Sequence, residues 1–207
     1  FSIAARRAGK KPPPGSMFLT TADGLGGIVT ALVAAMGERV TIHTGTTITQ
    51  IRRSDGEWVA VDDTGAQHVA DAVVLATPAA ATGQVLATLD AQLARELAEI
   101  PMASVATVSV VYDDDAVTAP INGHGYVNPR SEGSPLVGIS LTSTKFPVRA
   151  RPNSMLIRAH VGRMGEADPC TLSDDEVIGL VQQELVRTLG VRAEPKLARV
   201  FRWPQAI

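Results

Sequence analysis

The chain carries one cysteine, Cys170, in 207 residues. An intramolecular disulfide is therefore excluded, and so are metal sites built on several thiolates. Long hydrophobic runs are missing as well. The strongest, Ala72–Ala76 and Val105–Val111, fall far short of the ~20 residues that cross a bilayer. An excess of one charge is also absent: 19 Lys and Arg stand against 21 Asp and Glu, for a net charge of −2. That balance leaves no electrostatic footprint for nucleic acid. His43, His68, His124 and His160 have no metal-ligand spacing. No Ser–His–Asp or Cys–His grouping can be defended, so no catalytic side chain is assigned. No internal repeat is visible.

What is present is an ordinary packed chain. Apolar residues make up 45% and charged residues 19%, with a mean hydropathy of +0.12. A chain of this length buries roughly 70% of its unfolded surface, enough for one large or two small domains. The one basic cluster, Arg6, Arg7, Lys10 and Lys11, runs into Pro12–Pro13–Pro14. It reads as a solvated linker, with contact to a membrane or an anion as the minority reading. No signal-peptide apolar region follows it, and a cytoplasmic location fits.

Periodicity divides the chain. A helix starts near Gly24–Leu25–Gly26–Gly27, with Ile28, Leu32, Val33 and Met36 at helical spacing and Gly37 as its stop. Val40–Thr44 reads as a short strand. Thr46–Arg53 and Glu57–Asp62 read as hairpin partners around Ser54–Asp55–Gly56. Ala72–Ala76 reads as a strand covered on both faces, as in a parallel sheet. Helices are predicted over 79–88 and 91–98. Beyond Pro101 the pattern becomes strand-rich, over 104–112, 124–128, 135–142, 154–162 and 197–203. One helix interrupts it. Ser173 and Glu176 make a capping-box pair, Val177, Leu180, Val181, Leu185 and Leu189 form its apolar stripe, and Gly190 ends it.

Local motifs carry little chemistry. Gly24–Leu25–Gly26–Gly27 suggests a dinucleotide loop, but Val29 stands where the fingerprint needs its last glycine, and no acidic residue closes a βαβ unit. A tight turn into a helix is the better reading. Asp113–Asp114–Asp115 reads as a solvated loop. His124 lies between Gly123 and Gly125, where backbone freedom permits close approach to a ligand; a plain loop histidine is the simpler reading. His160, inside an apolar strand, reads as a core histidine. Weak side-chain chemistry suits an enzyme whose cofactor does the work.

Taken in order, several blocks resemble the protoporphyrinogen/coproporphyrinogen oxidase family of FAD-dependent oxidases, relatives of the flavin amine oxidases. They are Phe18 to Leu32, Thr47 to Ile51, Val73 to Ala79, Ser104 to Tyr112, Gly123 to Arg130, Ser143 to Pro147 and Arg202 to Pro204. The resemblance implies an α/β, mixed α+β fold: part of a Rossmann-like FAD-binding domain plus an antiparallel-sheet substrate-binding domain. Residues 1–23 would then be a linker and entry segment, 24–98 a partial FAD-binding domain, and 99–207 the substrate-binding domain. On this resemblance the chain reads as an internal part of a longer protein. The FAD phosphate-binding loop is absent from it, so the 207 residues alone are expected not to retain FAD and to be inactive.

The resemblance also implies roles. Ile48 matches the strand residue whose backbone pairs with the adenine of FAD, and Trp203 an aromatic near the flavin. His124, Gly125, Val127, Ser140 and His160 match positions lining a porphyrinogen pocket. Relatives are often aromatic or apolar where this chain has His124, and apolar near Ser140 and His160, which leaves the pocket's polarity open. In many amine oxidases a lysine lies in the strand matching Ser104–Tyr112; the corresponding residue here is Thr107, which argues against an amine substrate.

The activity so implied is the six-electron oxidation of a porphyrinogen to its porphyrin in heme biosynthesis, each two-electron step passing hydride to FAD and molecular oxygen reoxidising it. A pocket with His124 and His160 would favour coproporphyrinogen III, which has four carboxylates, over protoporphyrinogen IX. Arg149, Arg158 and Arg163 are available to meet carboxylates, exposed arginines being the plainer reading. The resemblance leaves room for a homodimer and for peripheral contact with the inner membrane. Two alternatives stay open: another flavin oxidase, acting on amines or carotenoids, and a non-catalytic binding fragment.

Overall fold

The structure, a computed structural model, describes residues 19–120 and 123–207. The basic cluster from Arg6 to Lys11, the prolines after it and Phe18 lie outside the described residues.

Helix α1, Gly26–Met36, begins after a turn in which Gly24 adopts φ +93 and donates its N–H to the Thr21 carbonyl. Gly37 stops it at φ +55, a value glycine reaches without steric cost. The helix is where periodicity places it, but its stripe is not buried: Ile28, Leu32, Val33 and Met36 keep 37–54% of their surface.

Strand β1, Ile48–Ser54, and strand β2, Glu57–Asp62, form the predicted hairpin, and β3, Gln67–Ala70, adds a third antiparallel strand. Asp55 and Gly56 both take positive φ, the two-residue turn that matches strand twist. Ile51 and Val59 are the buried pair. Asp62, nearly buried, closes the β2–β3 turn: its carboxylate accepts from the Thr64 hydroxyl, the Thr64 and Ala66 N–H groups and His68 Nε2. The Thr64 hydroxyl and His68 hold this carboxyl far below the usual range.

Two predicted strands are corrected. Residues 41–44 and 72–76 have no ladder partner among the described residues, and Val74 is 91% exposed. Apolar, β-branched sequence favours extended backbone, but a strand exists only where a neighbour accepts its hydrogen bonds. Helices α2, Ala79–Leu86, and α3, Ala91–Ala98, follow as predicted, α3 capped by Asp90 accepting from two N–H groups.

Beyond Pro101 the chain builds a five-stranded antiparallel sheet in the order β5-β6-β7-β4-β8. The strands are β4, Val105–Asp113; β5, Gly125–Val127; β6, Leu136–Leu141; β7, Ser154–Val161; and β8, Leu197–Trp203. A four-residue helix, α4, Thr142–Lys145, links β6 to β7, and helix α5, Asp174–Leu189, precedes β8. Alternation along β4 sends Ala106, Val108, Val110 and Tyr112 into the core, at 0–1% exposure, in the same buried cluster as Val177, Val181 and Leu185 of α5. Each such full burial of a large aliphatic contributes about 1.5–3 kcal/mol. The α5 capping box is complete, and Gly190 ends the helix at φ +68.

One polar network enters this core. Glu184 of α5, 5% exposed, accepts from Asn128 Nδ2 at 3.0 Å and from Arg187 at 2.7 and 3.0 Å. Arg187 and Asn128 together hold the Glu184 carboxyl below its ordinary pKa, against the opposing effect of burial.

Candidate functional site

Only one face of the five-stranded sheet lies against α5. The opposite face is built by the alternate residues of every strand, and register lines them up. Val127 of β5 pairs with Gly138 of β6, Gly138 with His160 of β7, His160 with Thr107 of β4, and Thr107 with Phe201 of β8. The neighbouring row runs Gly125, Ser140, Arg158, Ser109, Arg199. Side chains in such rows point to one side of the pleat.

Glycine is required at the β5 end. Gly125 has φ +138, and a Cβ there would lie 2.1 Å from the Ile139 carbonyl oxygen. A Cβ on Gly138 would lie 2.3 Å from the Tyr126 carbonyl oxygen. The two backbones approach more closely than side chains permit, which leaves a notch between Val127 and His160.

Two cavities open on this face. The first, about 800 Å³, is bounded by Pro101, Val105, Thr107, Val137, Met164 and Trp203, with His160 at its edge. Its walls are mostly apolar. The Trp203 indole N–H donates to the Thr107 hydroxyl at 3.2 Å, which fixes the ring beside β4. The second cavity, about 590 Å³, is bounded by Ser140, Thr142, Lys145, Arg149, Arg158 and, again, His160. His160 is half-buried where the two cavities meet. Burial first, and then the Arg158 and Lys145 charges, push its pKa below the ordinary histidine value.

The predicted site residues fall into place unevenly. Gly125, Val127, Ser140, His160 and Trp203, scattered along the sequence, share the open face. Ser140 and His160 border the second cavity, and Trp203 and His160 the first. His160 is thus no core histidine. Gly125 and Val127 are on the face beyond both cavities, Val127 being 78% exposed. His124 precedes β5, and its carbonyl accepts from the Leu141 N–H. Ile48 belongs to the other sheet. The Thr47 carbonyl accepts from the Asp63 N–H, and Ile48 lies opposite Asp62. That is the non-hydrogen-bonded position of an antiparallel ladder, where N–H and C=O turn away from the partner strand.

The three arginines separate. Arg163 is a clamp: it donates to the carbonyls of Asn128, Ser134 and Leu136 and lies 3.5 Å from Glu166. Its donors are spent on the 128–136 loop, so it is removed from the carboxylate-binding candidates. Arg149 donates to the Thr20 hydroxyl and the Thr21 carbonyl, at 2.8 and 2.7 Å, tying the turn before α1 to the rim of the second cavity. A Cβ on Gly24 would come within 3.2 Å of this guanidinium, so the Gly24 turn packs against Arg149. Arg158 projects from β7 with no carboxylate partner among the described residues. Sequence reasoning assigned no role to Lys145 or Phe201. Phe201 was within reach, because it alternates with Trp203 on one strand; Lys145 depends on α4, a turn too short to leave a periodic signal.

Comparison with known proteins shows the family and the fold. The family model described as flavin containing amine oxidoreductase matches residues 8–207. Over 203 residues the chain is 33% identical to a coproporphyrinogen III oxidase of Propionibacterium freudenreichii subsp. freudenreichii, covering 95% of this chain and 36% of that protein. It is 27% identical over 166 residues to the coproporphyrinogen III oxidase of Bacillus subtilis (strain 168), covering 80% of this chain and 35% of that one. A solved structure of a candidate protoporphyrinogen oxidase from Exiguobacterium sp. 255-15 superposes with a TM-score of 0.80 at 27% identity, over 98% of this chain and 45% of that one. The chain thus spans about a third of the length of these curated relatives and under half of the solved one.

Proposed function

The chain belongs to the flavin containing amine oxidoreductase family, and from that premise we propose that the whole protein oxidises a porphyrinogen to the corresponding porphyrin. The open sheet face is the observation that carries this reading. Five residues matched to a porphyrinogen oxidase by resemblance alone, Gly125, Val127, Ser140, His160 and Trp203, lie on one side of one sheet, opposite the core. A tetrapyrrole needs a broad apolar wall. A cavity of about 800 Å³ bounded by Val105, Val137, Met164 and Trp203 is of that kind. The relatives named as coproporphyrinogen III oxidases point the same way.

In this reading residues 24–98 are the part that holds cofactor and 99–207 the part that holds substrate. The main chain of Ile48, directed away from β2, would be the group that holds the adenine of FAD, without demanding any particular side chain. When bound, that cofactor supplies a hydride acceptor that molecular oxygen restores. The protein's own work is positioning and shielding. Trp203, held by the Thr107 hydroxyl, walls the apolar cavity. Gly125 and Gly138 let β5 lie close to β6, leaving room above the notch. No acid or base is assigned, because the product's aromaticity drives the loss of hydrogen. An amine substrate is less suited: at the strand position where many amine oxidases have a lysine, Thr107 offers a hydroxyl already engaged with Trp203.

The test is anaerobic mixing of the flavin-loaded whole protein with coproporphyrinogen III. Bleaching of the oxidised flavin is the expected result, with porphyrin fluorescence appearing only when oxygen is admitted, because one flavin takes two of the six electrons. Flavin that stays oxidised with porphyrinogens but bleaches with a primary amine overturns the reading.

A further inference from the structure

His160 is the one described residue that borders both cavities of the open face. On one side lies the mostly apolar cavity walled by Val105 and Trp203. On the other lies the basic cavity, with Arg158 and the hydroxyls of Ser140 and Thr142. That second cavity reaches the surface beside Leu19, which is 88% exposed. β7 fixes the His160 backbone between Gly138 and Thr107. Gly138 has no side chain to cover the imidazole, and the Thr107 hydroxyl already accepts from Trp203. Neither ring nitrogen of His160 hydrogen-bonds to a described residue, and no described Asp or Glu pairs with it. An imidazole with open nitrogens between an apolar and a polar space is placed to take a proton from one and release it to the other.

Oxidation of a porphyrinogen sets a proton balance as well as an electron balance. Aromatisation drives the reaction, but each two-electron step removes a proton together with a hydride. A C–H bond at a bridging carbon breaks, and its electron pair leaves with the hydrogen to the flavin. The cation left behind is conjugated through the pyrrole rings, so its N–H is acidic. When that N–H bond breaks, its electron pair closes the new C=N double bond and the proton passes to a base. Over the three steps four N–H groups become two, so in net terms the third proton comes from a bridging carbon. An apolar cavity does not solvate a free proton, so the base has to stand at its edge.

We propose that His160 is the proton acceptor of this reaction: its neutral imidazole takes the proton released by the ligand in the apolar cavity and passes it through the basic cavity to solvent. This rests on the porphyrinogen reading above. The charged groups that face His160 are Arg158 on its own strand, Lys145 and Arg149 across the second cavity, and Arg130 and Arg163 across the first. β4 and β6 present Thr107, Gly138 and Ser140, which carry no charge. Burial, followed by the Arg158 and Lys145 charges, keeps the imidazole neutral near pH 7. A weak base suffices for so acidic a donor, and it sheds its proton readily before the next step.

The experiment uses the flavin-loaded whole protein, with His160→Gln and His160→Ala. Anaerobic mixing with limiting coproporphyrinogen III gives the second-order rate of flavin bleaching at each pH. The cation left by hydride loss reverts unless its proton is removed, so this rate reports the base. In the wild type it should be level near neutrality and fall about tenfold per pH unit below a midpoint lower than 6.5, the ordinary histidine value. An NMR titration of the His160 imidazole, identified by its loss in His160→Gln, should give the same midpoint. His160→Gln should slow bleaching by about a hundredfold and lose the midpoint, while coproporphyrin III binding, followed by fluorescence quenching, changes less than about threefold. Added imidazole should restore about tenfold in His160→Ala, where the ring leaves a space, and leave His160→Gln unmoved. The profile and the NMR midpoint are both read on the wild type, so they decide the matter even if a variant fails to fold. A wild-type profile without a midpoint at the His160 titration overturns the assignment. So does a His160→Gln rate within about threefold of wild type, or a loss matched wholly by weaker porphyrin binding. In each of these cases the porphyrinogen reading stands. Wild-type flavin that stays oxidised with porphyrinogens overturns that reading, and the assignment with it.

Discussion

Helices α1 and α5 are both stopped by a glycine at positive φ and both carry an apolar stripe, yet their fates differ. In α5, Val177, Val181 and Leu185 are fully buried beneath the sheet. In α1 no residue is buried, and Ile28 and Leu32 keep about half their surface. The three-stranded sheet has only Ile51, Val59 and Asp62 buried in its strands, whereas the five-stranded one is the centre of a single large cluster. An apolar stripe thus specifies that a helix forms and which side wants cover. It does not specify what provides the cover. That is decided by strands elsewhere in the sequence, and β4, β6 and β8 lie against α5.

The sharpest way to break this contrast is a matched pair of truncations. Leu185→Ala should cost about 2–5 kcal/mol, the range for a buried leucine that leaves a cavity, while Leu32→Ala should cost less than about 1 kcal/mol because the removed atoms are half in water. Urea unfolding of the two variants checks it; equal losses would mean that α1 is as well packed as α5 in solution.

A glycine pair comes next, with opposite signs. Gly125→Ala forces a Cβ onto the Ile139 carbonyl at a positive φ, and should destabilise by about 1–3 kcal/mol while loosening β5. Gly179→Ala in α5 meets no atom within 4 Å, and should stabilise by about 0.5–1 kcal/mol. Thermal midpoints moving in the same direction would refute the close approach of β5 to β6.

The Glu184 network gives a smaller, pH-dependent effect. Its carboxyl titrates lower in the folded chain than its ordinary value of 4.5, so the unfolded chain binds the proton more readily. The stabilisation is therefore fully present above about 4.5 and is lost as pH falls through the lower, folded value. Glu184→Gln should lose about 1 kcal/mol near neutrality, since Arg187 is half exposed and its share is screened, and its stability should fall less steeply in acid. An unchanged acid limb would show that other carboxylates, Asp62 among them, carry the whole dependence. The smallest effect is at Thr107→Val. It frees the Trp203 N–H, should cost well under about 1 kcal/mol, and should be read as a shift in Trp203 emission while Trp58 serves as the internal constant.

Periodicity located α5 with both caps, the β1–β2 turn and all five strands of the larger sheet, because each of these declares itself within a dozen residues. Residues 41–44 and 72–76 misled it: their composition is right for strands, but pairing is a property of neighbours. Of the site, the alternation of Arg158 with His160 was legible, and so was that of Phe201 with Trp203. What was not legible is register. Nothing within β7 says that His160 faces Thr107 and Gly138, and nothing in residues 128–136 announces that their carbonyls consume Arg163. The basic cavity depends on a four-residue helix bringing Lys145 beside a strand that begins nine positions later, a juxtaposition that only the folded chain makes.

The sheet order has a consequence in time. β4 lies between β7 and β8, so Val108 is paired with both Ala159 and Val200. A ribosome making the chain in order produces this central strand early and its second neighbour much later. In that interval β4 has one open ladder edge, and loops of this span close slowly. The strand with the most deeply buried side chains is thus the one most exposed to mispairing in the nascent protein. Synthesis of β8 removes that exposure and, in the same step, brings Trp203 to the face where the ligand is proposed to lie.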